Sequence, residues 1–352
     1  MLYTSFLTAV LALATSVTAQ CGSGTPDVTV TGSGTFTVKK GSSTLYTGTD
    51  YNAALQSGIT NTASGQRLAV ISSGSIGTNT LVLKSGMTFE GCGTINVGNR
   101  AGRGSIEITN TQGVNVPYLS MTGNPYFGVR VYGSRDLTFG AITMNLSGGL
   151  GIRFDRDQAA NSNVKMNTVS ITGAGSHGIE TWNIAGFSLT TFTGRNIGEC
   201  GLLMQTTTNA RVGTVDCQNC ATGNGYAALR FANQNGKLNG GYGTNVYVDR
   251  LIARGGGRGF FCVSESGGAE INSVDISNTG NNAILIENCY GVNIKSGTVN
   301  GGGEVRISAR SEFANTRDIS LTLRVDNTSV RESPCGTNMR FSITGNAQKT
   351  LC

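Results

Sequence analysis

The sequence predicts an all-β protein, a single-stranded right-handed parallel β-helix (a solenoid) with a cap at each end. Three observations carry this prediction: a short strand phrase that recurs along the chain, a second apolar run in each repeat, and turns rich in glycine, asparagine, serine and threonine. A repeat of this length is typical of folds in which each unit buries its apolar face against its neighbours.

The strand phrase is usually a small residue followed by apolar–any–apolar, as in residues 151–155 and 178–182. Its first apolar residue recurs every 21 to 31 residues, at Ile106, Val129, Ile152, Ile179, Leu202, Leu229, Phe260, Ile284 and Val305. These strands are too short and too closely spaced for a helical repeat. A second apolar run, such as residues 137–144, gives each coil at least two strands.

The ends of the chain differ from the repeats. Residues 1–20 combine a short apolar stretch with a small-residue ending, which predicts a secretory signal peptide and an extracellular protein without a membrane span. Residues 21–352 form one domain, with coils over about 65–325. Within this domain, the segment before the coils, with a short helix over residues 51–57, is predicted to be the N-terminal cap. Residues 327–352 are predicted to be the C-terminal cap.

All nine cysteines follow the signal segment, and in a secreted chain most of them should pair. We expect Cys335 and Cys352 to close the C-terminal tail, and Cys200 to bond with Cys217 or Cys220. The CxxC at Cys217 and Cys220 has no second CxxC or histidine pair in the chain, so disulfide bonding is favoured over zinc.

One cysteine of nine must remain free, and Cys262, at an inward position, is the expected one. Asn145 and Asn327 begin N-glycosylation sequons. The net charge of +6 comes from dispersed Lys and Arg without a basic run, which argues against a nucleic-acid partner and favours attraction to an acidic polymer. We expect a monomer.

With this periodicity and turn composition, the chain resembles the pectin-lyase-like right-handed β-helix superfamily over roughly residues 65–325. The resemblance implies a secreted carbohydrate-active protein, since most members of that superfamily cleave, de-esterify or epimerise acidic polysaccharides. It rests on the repeat and not on a catalytic signature, so the reaction has to be argued from the residues.

Strand alternation sets which side chains face a ligand, because the residues between and after the inward apolar pair point outward. Coils lie about 4.8 Å apart, so four of them span roughly the length of a trisaccharide. The richest stretch of the two outward columns contains Arg130, Arg153, Glu180 and Arg230, with Tyr132, Asp155, Trp182 and Gln205 beside them. We expect this patch to bind substrate.

The segment of Asp155, Arg156 and Asp157 is followed one coil later by Ser176 and His177, the only histidine in the chain. The polygalacturonase family carries an Asp pair one coil before a Gly-His-Gly segment, and the order here is similar. Arg156 separates the two aspartates, Ser176 replaces a glycine, and no Arg-Ile-Lys motif follows. These departures leave the hydrolase mechanism of that family as an alternative and not as the first prediction.

Our first prediction is a polysaccharide lyase acting on a uronic-acid polymer, such as a plant cell-wall polysaccharide. β-Elimination requires that the substrate carboxylate be neutralised, and the planar guanidinium groups of Arg130, Arg153 and Arg230 suit that role. His177 or Tyr132 would supply the base or the acid.

Two alternatives remain at this stage. An inverting hydrolase would use Asp155 or Asp157 with Glu180, since such enzymes hold two carboxyl groups roughly 6.5–9.5 Å apart. A non-catalytic β-helix, acting as a cell-wall-binding protein or a host-recognised effector, would use the same surface, and its alternating charges would be cross-strand ion pairs. No cofactor is expected, although Ca²⁺ held by Asp155 and Asp157 is a further possibility.

Overall fold

The computed structural model describes residues 20–352, which form a parallel β-helix, as the sequence predicts. The predicted signal peptide lies outside the described residues, apart from Gln20. Within residues 20–352, no helix is long and apolar enough to cross a membrane.

The described part of the chain contains one helix, α1, and strands β1 to β25. In chain order the elements are β1 (Val28–Ser33), β2 (Thr35–Lys40), β3 (Ser43–Gly48), α1 (Tyr51–Asn61), β4 (Arg67–Val70), β5 (Gly74–Gly77), β6 (Leu81–Val82), β7 (Thr88–Val97), β8 (Gly104–Thr109), β9 (Asn115–Gly123), β10 (Phe127–Tyr132), β11 (Arg135–Leu146), β12 (Leu150–Phe154), β13 (Asn161–Thr172), β14 (Ile179–Ile197), β15 (Leu202–Cys220), β16 (Ala227–Ala232), β17 (Val246–Arg254), β18 (Arg258–Cys262), β19 (Ser266–Glu287), β20 (Cys289–Ile294), β21 (Gly297–Ser308), β22 (Arg317–Asp326), β23 (Ser329–Glu332), β24 (Thr337–Thr344) and β25 (Gln348–Thr350).

The N-terminal cap consists of an antiparallel meander, β1 to β3, followed by α1. The side chain of Asp50 accepts the backbone N–H of Ala53 at 3.0 Å and so caps the helix. The buried face of α1, which includes Leu55 and Ile59, covers the open end of the apolar interior. The predicted helix is therefore present and extends to Asn61.

The coils stack in parallel, and each contributes strands to three faces. We name these faces sheets A, B and C. Sheet A contains β10, β12 and the strands in register with them. The first halves of β11 and β13 belong to sheet B, and their second halves belong to sheet C. The inward residues Val129, Ile152 and Ile179 are at most 1% exposed. Each such side chain contributes about 1.5–3 kcal/mol of burial free energy, so the stacked interior columns stabilise the whole solenoid.

The C-terminal segment differs from the predicted cap. β24 pairs in parallel with β22, and β25 with β23, so residues 337–350 add a further rung to the stack. Met339, Phe341 and Ile343 alternate with polar residues and pack against the core. This period-two pattern explains why the solenoid continues past residue 325.

The disulfide bonds confirm one expectation and correct two. Cys335 bonds with Cys352, as expected, and Cys21 bonds with Cys92. Cys262 is not free, because it bonds with Cys289, 27 residues and one coil further on. Three disulfide bonds fit an extracellular protein, since such bonds persist in oxidising compartments.

The expected bond from Cys200 to Cys217 or Cys220 is absent, and all three cysteines are free and buried. Cys217 and Cys220 point into the core, whereas Cys200 packs in a separate apolar cluster with Leu203 and Phe261 on the outward side of sheet A. The two sets of sulfurs are thus on opposite sides of a strand layer.

Candidate active site

One column of side chains runs along the outward face of sheet A, with one residue from each of twelve coils. In coil order they are Val82, Glu107, Arg130, Arg153, Glu180, Leu203, Arg230, Phe261, Leu285, Arg306, Arg331 and Thr350. The predicted stacking from Arg130 to Arg306 is confirmed. Rungs about 4.8 Å apart let these side chains reach one coil in either direction.

Ion pairs join the charged members of this column to each other and to Asp155, two residues after Arg153. Arg130 donates from Nε to Oδ2 of Asp155 at 2.7 Å, and its Nη1 lies 3.7 Å from Oε1 of Glu107. Arg153 donates from Nη1 to Oε2 of Glu180 at 2.5 Å, and its Nη2 lies 3.6 Å from Oδ1 of Asp155. Two of the three arginines predicted to bind a substrate carboxylate therefore already face acidic groups of the protein.

Glu180 is a buried acid whose two oxygens both accept hydrogen bonds. It is 6% exposed, and its Oε1 accepts hydrogen bonds from Trp182 Nε1 at 2.8 Å and from Gln205 Nε2 at 3.0 Å. With Arg153 on Oε2, both oxygens are occupied. Trp182 and Gln205, predicted to bind substrate, thus position Glu180.

Asp157 lies apart from this network. It forms an exposed ion pair with Arg156 at 2.7 Å, and the hydrogen bond from that guanidinium lowers the pKa of the Asp157 carboxyl. The Arg156 guanidinium lies 5.7 Å from the ring of Trp182. Since Asp155 and Asp157 are each paired with arginine, they fit a Ca²⁺ site poorly.

Tyr132, predicted to bind substrate, packs under Arg130. The centre of its ring lies 5.2 Å from the guanidinium carbon.

A cleft of about 450 Å³ opens beside these residues. Its lining brings together two glutamates, the histidine, an arginine and two aromatic rings. The lining residues are Asn99, Tyr126, Phe127, Gly149, Leu150, Arg153, Ser176, His177, Glu180 and Glu199. Of the predicted catalytic residues, Arg153, His177 and Glu180 thus share one cleft, whereas Asp155 and Asp157 are not part of its lining.

His177 is held at both ring nitrogens. Nδ1 accepts the backbone N–H of Cys200 at 3.0 Å, and Nε2 lies 3.1 Å from Oε2 of Glu199. The imidazole is therefore the neutral tautomer with its proton on Nε2, donated to Glu199. Burial lowers the pKa of His177, although the nearby charges of Glu180 and Glu199 act in the opposite direction. The ring offers no free lone pair to a substrate.

Glu199 is the acid that the sequence analysis missed. Its Oε2 accepts hydrogen bonds from the hydroxyl of Ser176 and from His177, and its carboxylate also pairs with the hydroxyl of Tyr226. The side chain is 28% exposed, so substrate can reach it. The hydrogen bond with Glu199 raises the pKa of Tyr226, which keeps the phenol protonated.

A sequence signal for this cluster exists in the turns. Ser176, Glu199 and Tyr226 each stand two residues before the small residue that opens a strand phrase. They occupy equivalent positions in three consecutive coils, in the same way as the strand residues of the outward column.

Arg230 and Arg258 form the second part of the site. Both guanidinium groups lie 4.8 Å from the ring of Phe261, which is 6% exposed beneath them. Arg230 donates to the carbonyl of Gly225 at 3.0 Å, and Arg258 to Oδ1 of Asn282 at 3.1 Å.

Neither of these two guanidinium groups has a carboxylate within ion-pair distance among residues 20–352. Burial and the charge of Arg230 lower the pKa of Arg258. A cavity of about 360 Å³ lies at Arg258 and is also lined by Tyr226, whose ring contacts that of His177 at 5.6 Å. Tyr226 therefore connects the arginine pair to the cleft with Glu199.

The sequence matches no protein-family model and no curated protein. Two solved structures are similar in fold. The A-module of the Azotobacter vinelandii mannuronan C-5 epimerase AlgE4 aligns with a TM-score of 0.46 and 13% identity, over 86% of this chain and 96% of that one. A family 28 exopolygalacturonase of Yersinia enterocolitica aligns with a TM-score of 0.46 and 11% identity, over 90% of this chain and 83% of that one.

Proposed function

We propose that this protein is a secreted polysaccharide lyase that cleaves a uronic-acid polymer by β-elimination, at the surface formed by Glu199, Tyr226 and the arginine pair of Arg230 and Arg258. The observation that carries the proposal is the pair of arginines without acidic partners, Arg230 and Arg258, placed next to Tyr226, whose ring contacts His177 and whose hydroxyl interacts with Glu199. The three disulfide bonds support the extracellular setting.

An anionic substrate accounts for the arginine pair. Two like charges close to each other repel, and burial adds a desolvation cost that lowers the pKa of Arg258. A substrate carboxylate would supply the missing counter-charge and would accept hydrogen bonds from the guanidinium donors. Neutralising that carboxylate is the first requirement for removing the adjacent C5 proton.

Glu199 and Tyr226 fit the two proton-transfer roles. The Glu199 carboxylate takes the C5 proton, the C4–O bond breaks as the C4–C5 double bond forms, and the leaving oxygen takes the phenol proton of Tyr226. The hydrogen bond between the two side chains then carries the C5 proton from Glu199 to the tyrosinate, which restores both groups. His177 is a positioning residue in this scheme, because its Nε2–H orients Glu199.

Hydrolysis is the second candidate, because Glu180 and Glu199 line the same cleft. An inverting hydrolase needs a carboxylate free to activate water. Glu199 could be that group, but the mechanism needs a second carboxyl group, and both oxygens of Glu180 already accept hydrogen bonds while Asp155 is held by two arginines. These contacts favour elimination over hydrolysis.

The test is incubation of the purified protein with polygalacturonate, rhamnogalacturonan, alginate and glucuronan. Elimination generates an unsaturated product that absorbs in the ultraviolet, and Glu199→Gln should abolish it. New reducing ends without that absorbance would identify a hydrolase. No product from any of these polymers, from a protein that still binds one of them, would favour a non-catalytic cell-wall-binding protein.

A further inference from the structure

A groove on the outward face of sheet B has no role in the proposed reaction. It has a volume of about 400 Å³ and is lined by residues that include Asn163, Lys165, Ser188, Arg211, Thr244 and Tyr247. We propose that this groove is a second binding site for an acidic polysaccharide chain, which it holds without cleaving. Sheets A and B are different faces of each coil, so the site is separate from the cleft with Glu199.

The floor of the groove is set by the pairing register. Lys165, Ser188, Arg211 and Tyr247 stack directly on four consecutive coils. Lys165 and Arg211 are therefore two rungs apart, roughly 9.6 Å along the stack. The short side chain of Ser188 between them leaves space for a ligand, and both cations border that space.

The two cations have no acidic partner. Neither Lys165 nor Arg211 lies within 4.0 Å of a carboxylate among the described residues, whereas Lys295 on the same face is paired with Glu270 at 2.6 Å. The Arg211 guanidinium lies 4.6 Å from the centre of the Tyr247 ring, which orients it at the edge of the groove. Exposed, oriented cations at this spacing fit the carboxylates of a polyanionic sugar chain.

One wall of the groove comes from the longest repeat in the chain. The residues between β16 and β17 supply the extra length of the 31-residue interval from Leu229 to Phe260. Within this segment Asn245 is 8% exposed and donates to the carbonyls of Gly236 and Gly243, at 2.7 and 2.8 Å. Its Oδ1 accepts the N–H of Asn209 at 2.9 Å, so the wall beside Thr244 is fixed to the coil below.

Binding can be measured independently of cleavage, by native electrophoresis through gels that contain polygalacturonate, with neutral dextran as the comparison polymer. The parent protein for this test is Arg230→Gln/Arg258→Gln, which removes the proposed first anion site. We expect it to be retarded still by polygalacturonate and not by dextran. Adding Lys165→Gln and Arg211→Gln should weaken binding by about tenfold for each charge-assisted hydrogen bond that the substitution removes.

Arg340→Gln is the matched control, because Arg340 is an exposed cation in the same outward column, several coils beyond the groove. We expect it to leave the retardation unchanged. Equal weakening in the control, equal binding of dextran, or unchanged binding after removal of Lys165 and Arg211 would overturn the second site. If any of these outcomes appears while the native protein still releases an unsaturated product, the groove is overturned and the proposed lyase is not.

Discussion

His177 and Glu199 share a hydrogen bond across adjacent coils, with Nε2 3.1 Å from Oε2, while Nδ1 of the same ring accepts the Cys200 N–H. The only histidine in the chain is therefore a fixed donor to the most accessible carboxylate of the cleft. A residue that looks like a catalytic base in the sequence is in the structure a hydrogen-bond donor to a carboxylate, the one that we propose as the base. This relationship gives the first prediction.

The free energy of unfolding should fall as the pH drops through the range in which His177 is protonated in the unfolded chain but not in the folded one. Burial lowers its folded-state pKa from 6.5, so between the folded and unfolded values the unfolded chain binds a proton that the folded chain does not. The free energy of unfolding must then decrease as the pH drops below about 6.5 toward the folded pKa. Urea denaturation at about pH 7 and about pH 5.5 should show a larger decrease for the native protein than for His177→Gln. Equal decreases would contradict a buried neutral imidazole.

Tyr226→Phe should lower turnover of the uronate polymer by about 10²-fold, because it removes the proton donor to the leaving oxygen. The fold should be unaffected, since the ring and its contact with His177 remain. Tyr132→Phe is the matched control: it also deletes one phenol hydroxyl, but Tyr132 packs under Arg130, whereas Tyr226 interacts with Glu199. The rate of ultraviolet absorbance increase measures both, and an active Tyr226→Phe variant would remove Tyr226 from the mechanism.

Arg153→Met should destabilise the protein by about 3 kcal/mol, because it leaves the buried Glu180 without its guanidinium. Arg156→Met, on the turn that follows the same strand, breaks an exposed pair with Asp157 and should change stability little. Chemical denaturation of both variants checks this. If the two variants have equal free energies of unfolding, the Arg153–Glu180 pair does not stabilise the fold. The prediction that Arg153 binds substrate would then be favoured again.

Arg258→Gln should lower kcat/KM for the uronate polymer about tenfold, which corresponds to one charge-assisted hydrogen bond to the substrate carboxylate. It should not destabilise the fold, because it removes one of two neighbouring like charges that lack an acidic partner. Arg254→Gln is the control from the same glycine-rich turn, since Arg254 is paired with Asp275. Steady-state kinetics on both variants measure this effect, and an equal kcat/KM in Arg258→Gln and the native protein would contradict carboxylate binding at Arg258.

The fold and the outward column were predictable because both follow from one repeat. A period of roughly one coil aligns every strand phrase, and alternation then assigns inside and outside to Val129 and Arg130 without further information. The partners within the column were not predictable. Whether Arg153 contacts a substrate or Glu180 depends on side-chain reach across a rung of about 4.8 Å, and an arginine can reach both.

Glu199 and Tyr226 escaped the sequence analysis for a different reason. They lie in turns, and the intervals that separate Ser176, Glu199 and Tyr226 are 23 and 27 residues. Because the two intervals differ, aligning the repeats at one fixed length does not bring these three turn residues together. Counting back two residues from the start of each strand phrase does. The disulfide bond of Cys262 and Cys289 carried a similar signal, because a separation of one coil length places two side chains on neighbouring rungs.

The remaining cysteines give the last prediction. Cys200, Cys217 and Cys220 are free and buried, and burial raises the pKa of Cys200 to about 12 and that of Cys217 well above its usual range. A thiol reagent should therefore label no cysteine in the folded, unreduced protein, because both access and thiolate are lacking. After denaturation without reductant, mass spectrometry should find three labels. A single label would mean that Cys217 and Cys220, which lie in the same buried core, have formed a fourth disulfide bond, leaving Cys200 as the one free thiol.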